Sequence, residues 1–322
     1  MSQHFLLTAA SRTLSLKDIY KAGEEAAFNT FKSLRWASTN GEPVCPVCGG
    51  VECKPVKGRI TFRCTACKKQ FSVTSGTLFH SRKLAYVDLM AAICLFINGA
   101  KGMSAVQFSR DMDVQYKTAF VLCHKLREAM ASEIVGHTLD GEVEIDGAYF
   151  GGVIRPANRK ENRIDRRLAQ HQTGTRRVVI ALRQRKGRTL TLVRKSEAEG
   201  VELAETFAPK AKAFYADEAA HWDALHGTFN TFRINHSEAY SEFNGLHTNG
   251  VESFFSRLRR MVEGQHHGVS PKYLYQYAAH AGWLEDHRRR SNGHNASAAI
   301  SNAMSNPTSV IWAGYWQRAT SH

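Results

Sequence analysis

The first part of the chain carries apolar residues at helical intervals. They recur every three to four positions between Leu16 and Trp36, which predicts an amphipathic helix. The same spacing predicts three further helices, at about 83–98, 104–112 and 114–131. Ser104 and Gln107 form a capping box at the start of the second of these, and Asp113 stands where it can cap the third.

The last two of these helices predict a helix-turn-helix, because a short helix and a tight turn precede a longer helix. The polar residues Gln115, Lys117 and Thr118 at the start of the longer helix would then face the major groove of DNA. Their apolar neighbours would pack inward. The alternative is an ordinary three-helix bundle that joins two domains.

Beyond Glu142 the pattern changes to strands. Apolar runs predict five of them, at about 142–149, 177–182, 189–193, 212–217 and 231–236. Helices are predicted between and after the strands, at about 200–207, 219–225, 249–263 and 271–290. This order is that of a ribonuclease H-like fold, which is a mixed sheet flanked by helices. It consists of three strands, a helix, a strand, a helix, a strand and then the final helices.

The seven cysteines include two Cys-x-x-Cys pairs separated by fifteen residues. This spacing is typical of a four-thiolate zinc site on a zinc ribbon. The predicted zinc ligands are Cys45, Cys48, Cys64 and Cys67. Two disulfides are the alternative, and the lack of an export signal disfavours them. Cys53 lies outside the register of the two pairs. The remaining two cysteines, Cys94 and Cys123, fall on apolar helical faces and are expected in the core.

These patterns predict an α/β protein of five parts. They are an N-terminal helical segment (1–42), a zinc ribbon (43–75), a helix-turn-helix-like DNA-binding region (80–135), a ribonuclease H-like catalytic domain (140–292) and a C-terminal tail (293–322). The tail is small, polar and weakly patterned. Its aromatic residues, Trp312, Tyr315 and Trp316, are expected to hold it on the catalytic domain.

The charge balance favours a polyanionic partner. Lys and Arg number 43 against 29 Asp and Glu, a formal net charge of +14. A merely soluble basic protein is the alternative. A basic segment at about 155–177 lies between the first two predicted strands and is expected to follow DNA phosphates, unless it is an ordinary solvated loop. Its candidate DNA-binding residues are Arg159, Lys160, Arg163, Arg166 and Arg167.

The sequence offers no candidate membrane segment. The longest apolar run, 84–97, is broken by Asp88 and is too short to cross a bilayer, and no secretory signal is visible. We therefore expect a soluble, cytoplasmic protein that makes no membrane contact.

Three acids stand at places that suit catalytic metal ligands. Asp146 and Asp217 each end a predicted strand, and Glu252 lies at the start of a predicted helix. Carboxylates from two strands and one helix can hold two divalent metals and cut or join a phosphodiester. Each acid also has a structural alternative. Asp146 could be a solvated strand residue, Asp217 could cap the next helix, and Glu252 could form a capping box with Asn249. Asn249 is itself a possible neutral ligand.

Around these acids the sequence resembles a known family. Residues 144–152 (EIDGAYFGG), 215–217 (YAD) and 247–255 (HTNGVESFF) resemble the signatures of bacterial insertion-sequence transposases that join an N-terminal zinc ribbon to an integrase-type acidic domain. The resemblance extends over about 43–292, including TSGT at 74–77 and EDHRR at 285–289.

The resemblance implies a ribonuclease H-like fold and two catalytic Mg²⁺ ions, or Mn²⁺, held by Asp146, Asp217 and a third residue. Family members carry either Asn or Glu in the third block, and metal chemistry favours Glu252 over Asn249. Arg259 takes the place of a usual Lys and is expected to hold DNA beside the site. Two positions depart from the family pattern, since His280 stands where an acid is common and Leu284 where Arg is common.

The expected activity is that of a metal-dependent polynucleotidyl transferase. Such an enzyme would bind the terminal inverted repeats of its element, cleave them and join the exposed 3′-hydroxyls to target DNA. Pairing two DNA ends implies a homodimer or larger assembly, associated with the nucleoid. The alternatives are a DNA-binding protein that has lost its chemistry and a structure-specific nuclease of the same fold.

Overall fold

The structure is a computed structural model, and it describes residues 4–151, 157–165, 174–234 and 247–318 of the 322-residue chain. The chain forms two compact units. The helical unit comprises Met1–Glu133 and His287–His322, and the sheet unit comprises Ile134–Asp286.

The described residues of the helical unit form the ribbon and five α-helices. The ribbon is a three-stranded antiparallel sheet of β1 (Cys53–Pro55), β2 (Phe62–Cys64) and β3 (Gln70–Phe71). The helices before the sheet unit are α1 (Leu16–Arg35), α2 (Tyr86–Asn98), α3 (Ala105–Asp111) and α4 (Tyr116–Ser132). Short 3-10 turns lie at Phe5–Leu7, Ala9–Ser11 and Ala37–Thr39. Each of these four helices lies within a few residues of its predicted position.

Helix α1 bends at Gly23 and provides the cap of helix α2. Gly23 has a φ of 81°, outside the helical range, so the helix is kinked there. The next residue, Glu24, accepts hydrogen bonds from the backbone N–H groups of Tyr86 and Val87 at 2.9 and 2.8 Å. Since Ala85 has no side chain to cap α2, a carboxylate from another helix satisfies two of its free amides.

The start of α4 differs from its prediction. Gln115 is the residue before the helix, and no side chain caps the helix there. Asp113 has a φ of 48° and lies in the turn after α3, so the expected Asp113 cap is wrong. Ser104, by contrast, accepts the backbone N–H of Gln107 at 3.1 Å, which is the Ser104 half of the capping box predicted at the start of α3.

The segment predicted as a tail forms a helix. Helix α8 (Asn292–Ser305) buries small apolar residues at helical intervals: Ala296, Ala299, Ile300, Ala303 and Met304. Beyond it, Trp312 is 1% exposed and stacks on His124 of α4, with the ring centroids 4.1 Å apart. The C-terminal aromatic residues therefore pack on the helical unit, and the expectation that they hold a tail on the catalytic domain is wrong.

The sheet unit contains a mixed five-stranded sheet. Its strands are β4 (Asp140–Phe150), β5 (Arg177–Gln184), β6 (Thr189–Arg194), β7 (Lys210–Asp217) and β8 (Thr231–Ile234), in the order β6-β5-β4-β7-β8. β4 pairs antiparallel with β5 and parallel with β7, while β5–β6 is antiparallel and β7–β8 is parallel. This arrangement confirms the predicted ribonuclease H-like fold.

Helices cover both faces of this sheet. One face packs against α5 (Gly200–Phe207) and the 3-10 turn Ala220–Gly227, and its core includes Val143, Ile145 and Trp222. The other face packs against α6 (Asn249–Arg259) and α7 (Leu274–Asp286), and its core includes Ala148 and Phe254. A π-helical turn, Arg260–Gln265, continues α6 where a regular helix was predicted. 3-10 turns also lie at Lys160–Asn162 and Glu197–Glu199.

In the ranges that the structure describes, no helix combines the length and the apolar content needed to span a bilayer.

Candidate metal site and acidic site

The four predicted zinc ligands meet at one point. Their sulfur atoms all lie within 4.8 Å of one another. The Cys45–Cys67 and Cys48–Cys64 sulfur pairs are each 3.6 Å apart. A tetrahedral site with Zn–S bonds of about 2.3 Å requires sulfurs about 3.8 Å apart, so the four thiols suit a structural Zn²⁺.

The local backbone explains why the two Cys-x-x-Cys pairs converge. Gly49 and Lys68 each follow the second cysteine of a pair, and both have positive φ, 72° and 62°. Their N–H groups donate back to the carbonyls of Cys45 and Cys64, at 2.9 and 3.1 Å. The two pairs therefore form similar tight turns. Hydrogen bonding from the backbone, chiefly the N–H of Cys67, lowers the pKa of the Cys64 thiol, which favours the thiolate that a metal binds.

The other three cysteines do not join this cluster. Cys53 pairs with Cys64 across β1 and β2, but its sulfur donates to the carbonyl of Gly50 at 3.5 Å. Burial and the neighbouring thiols raise its pKa to about 11. Cys94 and Cys123 are buried in α2 and α4, as predicted.

Asp146 and Asp217 lie on neighbouring parallel strands, β4 and β7. Asp217 ends β7, whereas β4 continues for four residues beyond Asp146, so the expectation that Asp146 ends its strand is wrong. Glu144 of β4 is paired with Tyr215 of β7 in parallel register, and each aspartate lies two residues further along its strand. The Asp146 carboxylate accepts the N–H of Gly147 at 2.7 Å, and Asp217 accepts the N–H of Ala219 at 3.2 Å. Two acids predicted from separate motifs are thus adjacent in the sheet.

The surroundings of Asp146 oppose its ionisation. Burial raises its pKa to about 7; the N–H of Gly147 acts in the opposite direction, and the charges of Asp217 and Glu197 raise the pKa further. The positive charge of Arg259 lowers it, so this arginine of α6 acts on the same site.

Glu197 is an acid that the sequence analysis missed. It begins a 3-10 turn after β6, and its side chain lies against Gly147. A β-carbon on Gly147 would lie 2.6 Å from its Cγ and Oε1 atoms. Its other oxygen lies 3.5 Å from Nε2 of His221. No strand or motif in the sequence links Glu197 to Asp146, so only the fold brings them together.

The candidates for the third ligand lie in the first turn of α6. Thr248 is the residue before this helix, and Asn249 is its first residue and exposed. The Thr248 hydroxyl donates to Glu252 Oε1 at 2.7 Å. The capping box expected between Asn249 and Glu252 does not form, because the helix begins one residue earlier than that motif requires.

The three predicted acids are not drawn together around a common point. Across the described ranges, the zinc-ribbon cysteines are the only group of three or more Cys, His, Asp or Glu whose ligand atoms all lie within 4.8 Å of one another. Arg259 is seven residues after Glu252, about two helical turns, so both belong to the same side of α6.

Glu144, in the same strand as Asp146, has a structural role. It is 1% exposed, and its Oε1 lies 3.1 Å from Arg185 Nε and 3.3 Å from His247 Nδ1. Its Oε2 accepts the N–H of Val251 at 2.8 Å. Both oxygens are therefore engaged in holding the start of α6 on the sheet, whereas Glu142 pairs with Arg185 from an exposed position.

The two residues that depart from the family pattern are buried to different extents, fully for His280 and partly for Leu284. His280 is fully buried in α7, and Leu284 packs against the core beneath α6. The two residues after Leu284 tie the end of α7 to its neighbours. Glu285 pairs with Arg183 at 3.0 Å and also with Arg257, and Asp286 accepts both the N–H and the hydroxyl of Thr189.

The predicted DNA-binding residues lie in both units. At the start of α4, Gln115 and Lys117 are exposed and Thr118 is half-buried. In the sheet unit, Arg159, Lys160 and Arg163 are exposed around a 3-10 turn. Arg166 and Arg167 lie outside the described residues.

Comparison with known protein families gives two matches. Residues 22–70 match the family described as transposase zinc-ribbon domain, and residues 138–286 match the ISXO2-like transposase domain. None of the curated proteins matches the sequence. The two matched segments together cover more than half of the chain and include the cysteine cluster and the acidic site. The chain is therefore similar, over these two segments, to transposases that carry a zinc ribbon ahead of the transposase domain.

Proposed function

We propose that this protein is a DNA transposase that cleaves the ends of an insertion sequence and joins their 3′-hydroxyls to target DNA. The observation that carries the proposal is the adjacency of Asp146 and Asp217 on neighbouring parallel strands, inside the segment that matches a transposase domain. The reaction is a phosphoryl transfer from one oxygen to another, so it needs no covalent enzyme–DNA intermediate.

The acidic site suits divalent cations. Asp146 and Asp217 carry oxygen donors of the kind that Mg²⁺ and Mn²⁺ prefer, and the raised pKa of Asp146 reflects burial beside other acids, which a cation would relieve. Asp146, Asp217 and Glu252 would hold the ions, with Asn249 as the alternative to Glu252. When bound, the ions would activate the attacking oxygen and stabilise the leaving oxygen.

The chain's own residues would bind and orient the DNA. Arg259, whose charge acts on Asp146, would contact a phosphate next to the cleaved bond. The exposed residues Arg159, Lys160 and Arg163, together with Arg166 and Arg167, would follow the phosphate backbone. Gln115, Lys117 and Thr118 would contact the major groove. Glu144 would hold α6, and with it Glu252, against the sheet.

The central test is cleavage of DNA that carries the inverted repeats flanking the gene. Asp146→Asn and Asp217→Asn are expected to abolish Mg²⁺-dependent cleavage and strand transfer while DNA binding is retained. Asp223→Asn is the matched control, because Asp223 is an exposed acid of the same unit that pairs with Arg233. Wild-type protein that neither cleaves nor joins its own ends would overturn the proposal and favour a DNA-binding protein without chemistry.

The third ligand can be identified by comparing two variants. If Glu252 is the ligand, Glu252→Gln abolishes cleavage while Asn249→Ala retains it; if Asn249 is the ligand, the order is reversed. Hydrolysis without any joined product would favour the structure-specific nuclease instead.

The proposed partners are the element's terminal repeats and target DNA. Bringing two ends together would require a homodimer or larger assembly on DNA, within the nucleoid of a bacterial cytoplasm. Light scattering of the protein with and without its end DNA tests this, since a complex with a single copy of the chain would contradict it.

A further inference from the structure

The helical unit contains a cavity of about 520 Å³ at the start of helix α4. Its walls come from residues 79–84, the first turns of α4 and residues 312–317 near the C-terminus. A cavity of this size is within the range of small-molecule sites. The first turn of α4 also carries Lys117 and Thr118, which the sequence predicts as DNA contacts.

One wall of the cavity is aromatic. Trp312 is buried, while Trp316 remains 44% exposed. The indole N–H of Trp316 donates to the backbone carbonyl of Lys117 at 3.2 Å, which fixes the ring beside α4. The Lys117 ammonium lies 5.6 Å from the centre of the same ring. An exposed, oriented indole is a surface on which a nucleic-acid base can stack.

The lining is also strongly basic. It includes Arg82, Lys83, Lys117 and Lys125, together with His80, and none of the described residues that line it is an Asp or Glu. The cavity therefore combines a positive potential with an aromatic surface. An anionic ligand that carries a flat ring fits both properties.

Lys125 is the most unusual of these cations. It is only 9% exposed, and its ammonium donates to the carbonyl of His80 at 3.2 Å. Glu128, one turn further along α4, is nearby, but its carboxylate accepts the Ser309 hydroxyl at 2.6 Å. Burying an ammonium without a paired carboxylate is costly, and a bound phosphate would compensate it.

We propose that this cavity binds one unstacked nucleotide of a DNA strand, with its phosphate beside Lys117 and Lys125 and its base against Trp316. The proposal rests on DNA being the substrate, as argued above, and adds a site outside the acidic centre. A base inside a duplex is already stacked on its neighbours, so a nucleotide at a single-stranded or distorted position is the expected occupant.

The test uses the full-length, zinc-loaded chain and a short oligothymidylate, in buffer without Mg²⁺. Trp316→Ala is expected to weaken binding roughly 5- to 100-fold, the range expected for losing one base–aromatic stack. Trp316→Phe keeps a ring and should bind within about threefold of wild type. Lys117→Ala should reduce the slope of log affinity against log salt by about 1.

Matched controls come from helix α1 of the same unit. Tyr20 is an exposed aromatic residue and Lys21 an exposed lysine. Tyr20→Ala and Lys21→Ala should leave both the affinity and its salt dependence unchanged. A duplex of the same length should be less sensitive to Trp316→Ala than the single strand is.

Three results would overturn the proposal: wild-type affinity for oligothymidylate in Trp316→Ala, equal losses in Trp316→Ala and Tyr20→Ala, or a Trp316→Phe variant as weak as Trp316→Ala. Cleavage assays separate this outcome from the proposed activity. If the protein binds oligothymidylate in a way that depends on Trp316 but does not cleave DNA, the proposed nucleotide site stands and the proposed transposase activity is refuted. If the protein cleaves DNA normally and Trp316→Ala binds oligothymidylate as tightly as wild type, only the proposed nucleotide site is refuted.

Discussion

Glu144 and Val251 are joined by a 2.8 Å hydrogen bond from the backbone N–H of Val251 to the Glu144 carboxylate, across 107 residues of sequence. The bond ties the central strand of the sheet to the first turn of α6. A β-carbon on the preceding residue, Gly250, would lie 2.6 Å from the same carboxylate oxygen. This close approach positions the helix that carries Asn249, Glu252 and Arg259.

Removing this carboxylate should destabilise the sheet unit. Glu144→Ala leaves the side chain of Arg185 and the N–H of Val251 without their buried partner, so the free energy of unfolding should fall by about 3 kcal/mol or more. Glu142→Ala removes an exposed partner of the same arginine and should cost less than about 1 kcal/mol. Urea denaturation measures both, and equal losses would contradict the role given to Glu144.

Adding a methyl group at Gly147 should displace Glu197. Because the new β-carbon would lie 2.6 Å from the Glu197 side chain, Gly147→Ala should lower the free energy of unfolding by about 1–3 kcal/mol. In the Gly147→Ala/Glu197→Ala double variant most of that loss should disappear. Gly227→Ala is the control, since nothing lies within 4 Å of the added carbon there. Additive losses in the double variant would show that the two residues do not touch.

Zinc content should depend on the ribbon cysteines and not on Cys53. Cys64→Ser is expected to lose the metal, because one of four thiolates is removed, and to unfold the ribbon. Cys53→Ser should keep one zinc per chain, since its sulfur is outside the cluster although it pairs with Cys64 across the strands. A colorimetric assay of zinc released on denaturation distinguishes them. Zinc loss in Cys53→Ser would contradict the assigned ligand set.

Asp286 should contribute to the pH dependence of stability. Burial is the largest influence on this carboxyl and raises its pKa from 3.8 to about 6, despite the hydrogen bonds that it accepts from Thr189. Between those values the folded chain holds a proton that the unfolded chain has released, so this group's contribution makes the free energy of unfolding fall as pH rises from about 4 to 6.

In Asp286→Asn that contribution, up to about 3 kcal/mol, should be missing, so stability should depend less on pH over this range. Urea midpoints measured at several pH values test it. Asp223→Asn, at an exposed position, should retain the wild-type profile. An unchanged profile in Asp286→Asn would show that its carboxyl titrates normally.

Much of the fold follows from local patterns. The zinc ligands are predictable because each Cys-x-x-Cys turn brings together two thiols that are only three residues apart in the sequence. The strands around Asp146 and Asp217 are predictable because alternation and apolar runs belong to single segments. Local signals failed at α8, whose Ala-rich repeat is a weak hydrophobic pattern, and at Asp113, where a turn residue resembles a helix cap.

The sequence by itself determined the cysteine cluster, the five strands with their helices, and the two aspartates of the acidic site. Only the tertiary structure decided that Glu197 lies against Gly147, that Glu144 holds α6, and that Trp316 lies beside Lys117. The physical reason is the distance along the chain: helix and strand periods are set by neighbouring residues, whereas these contacts join segments tens to hundreds of residues apart and form only when the core packs.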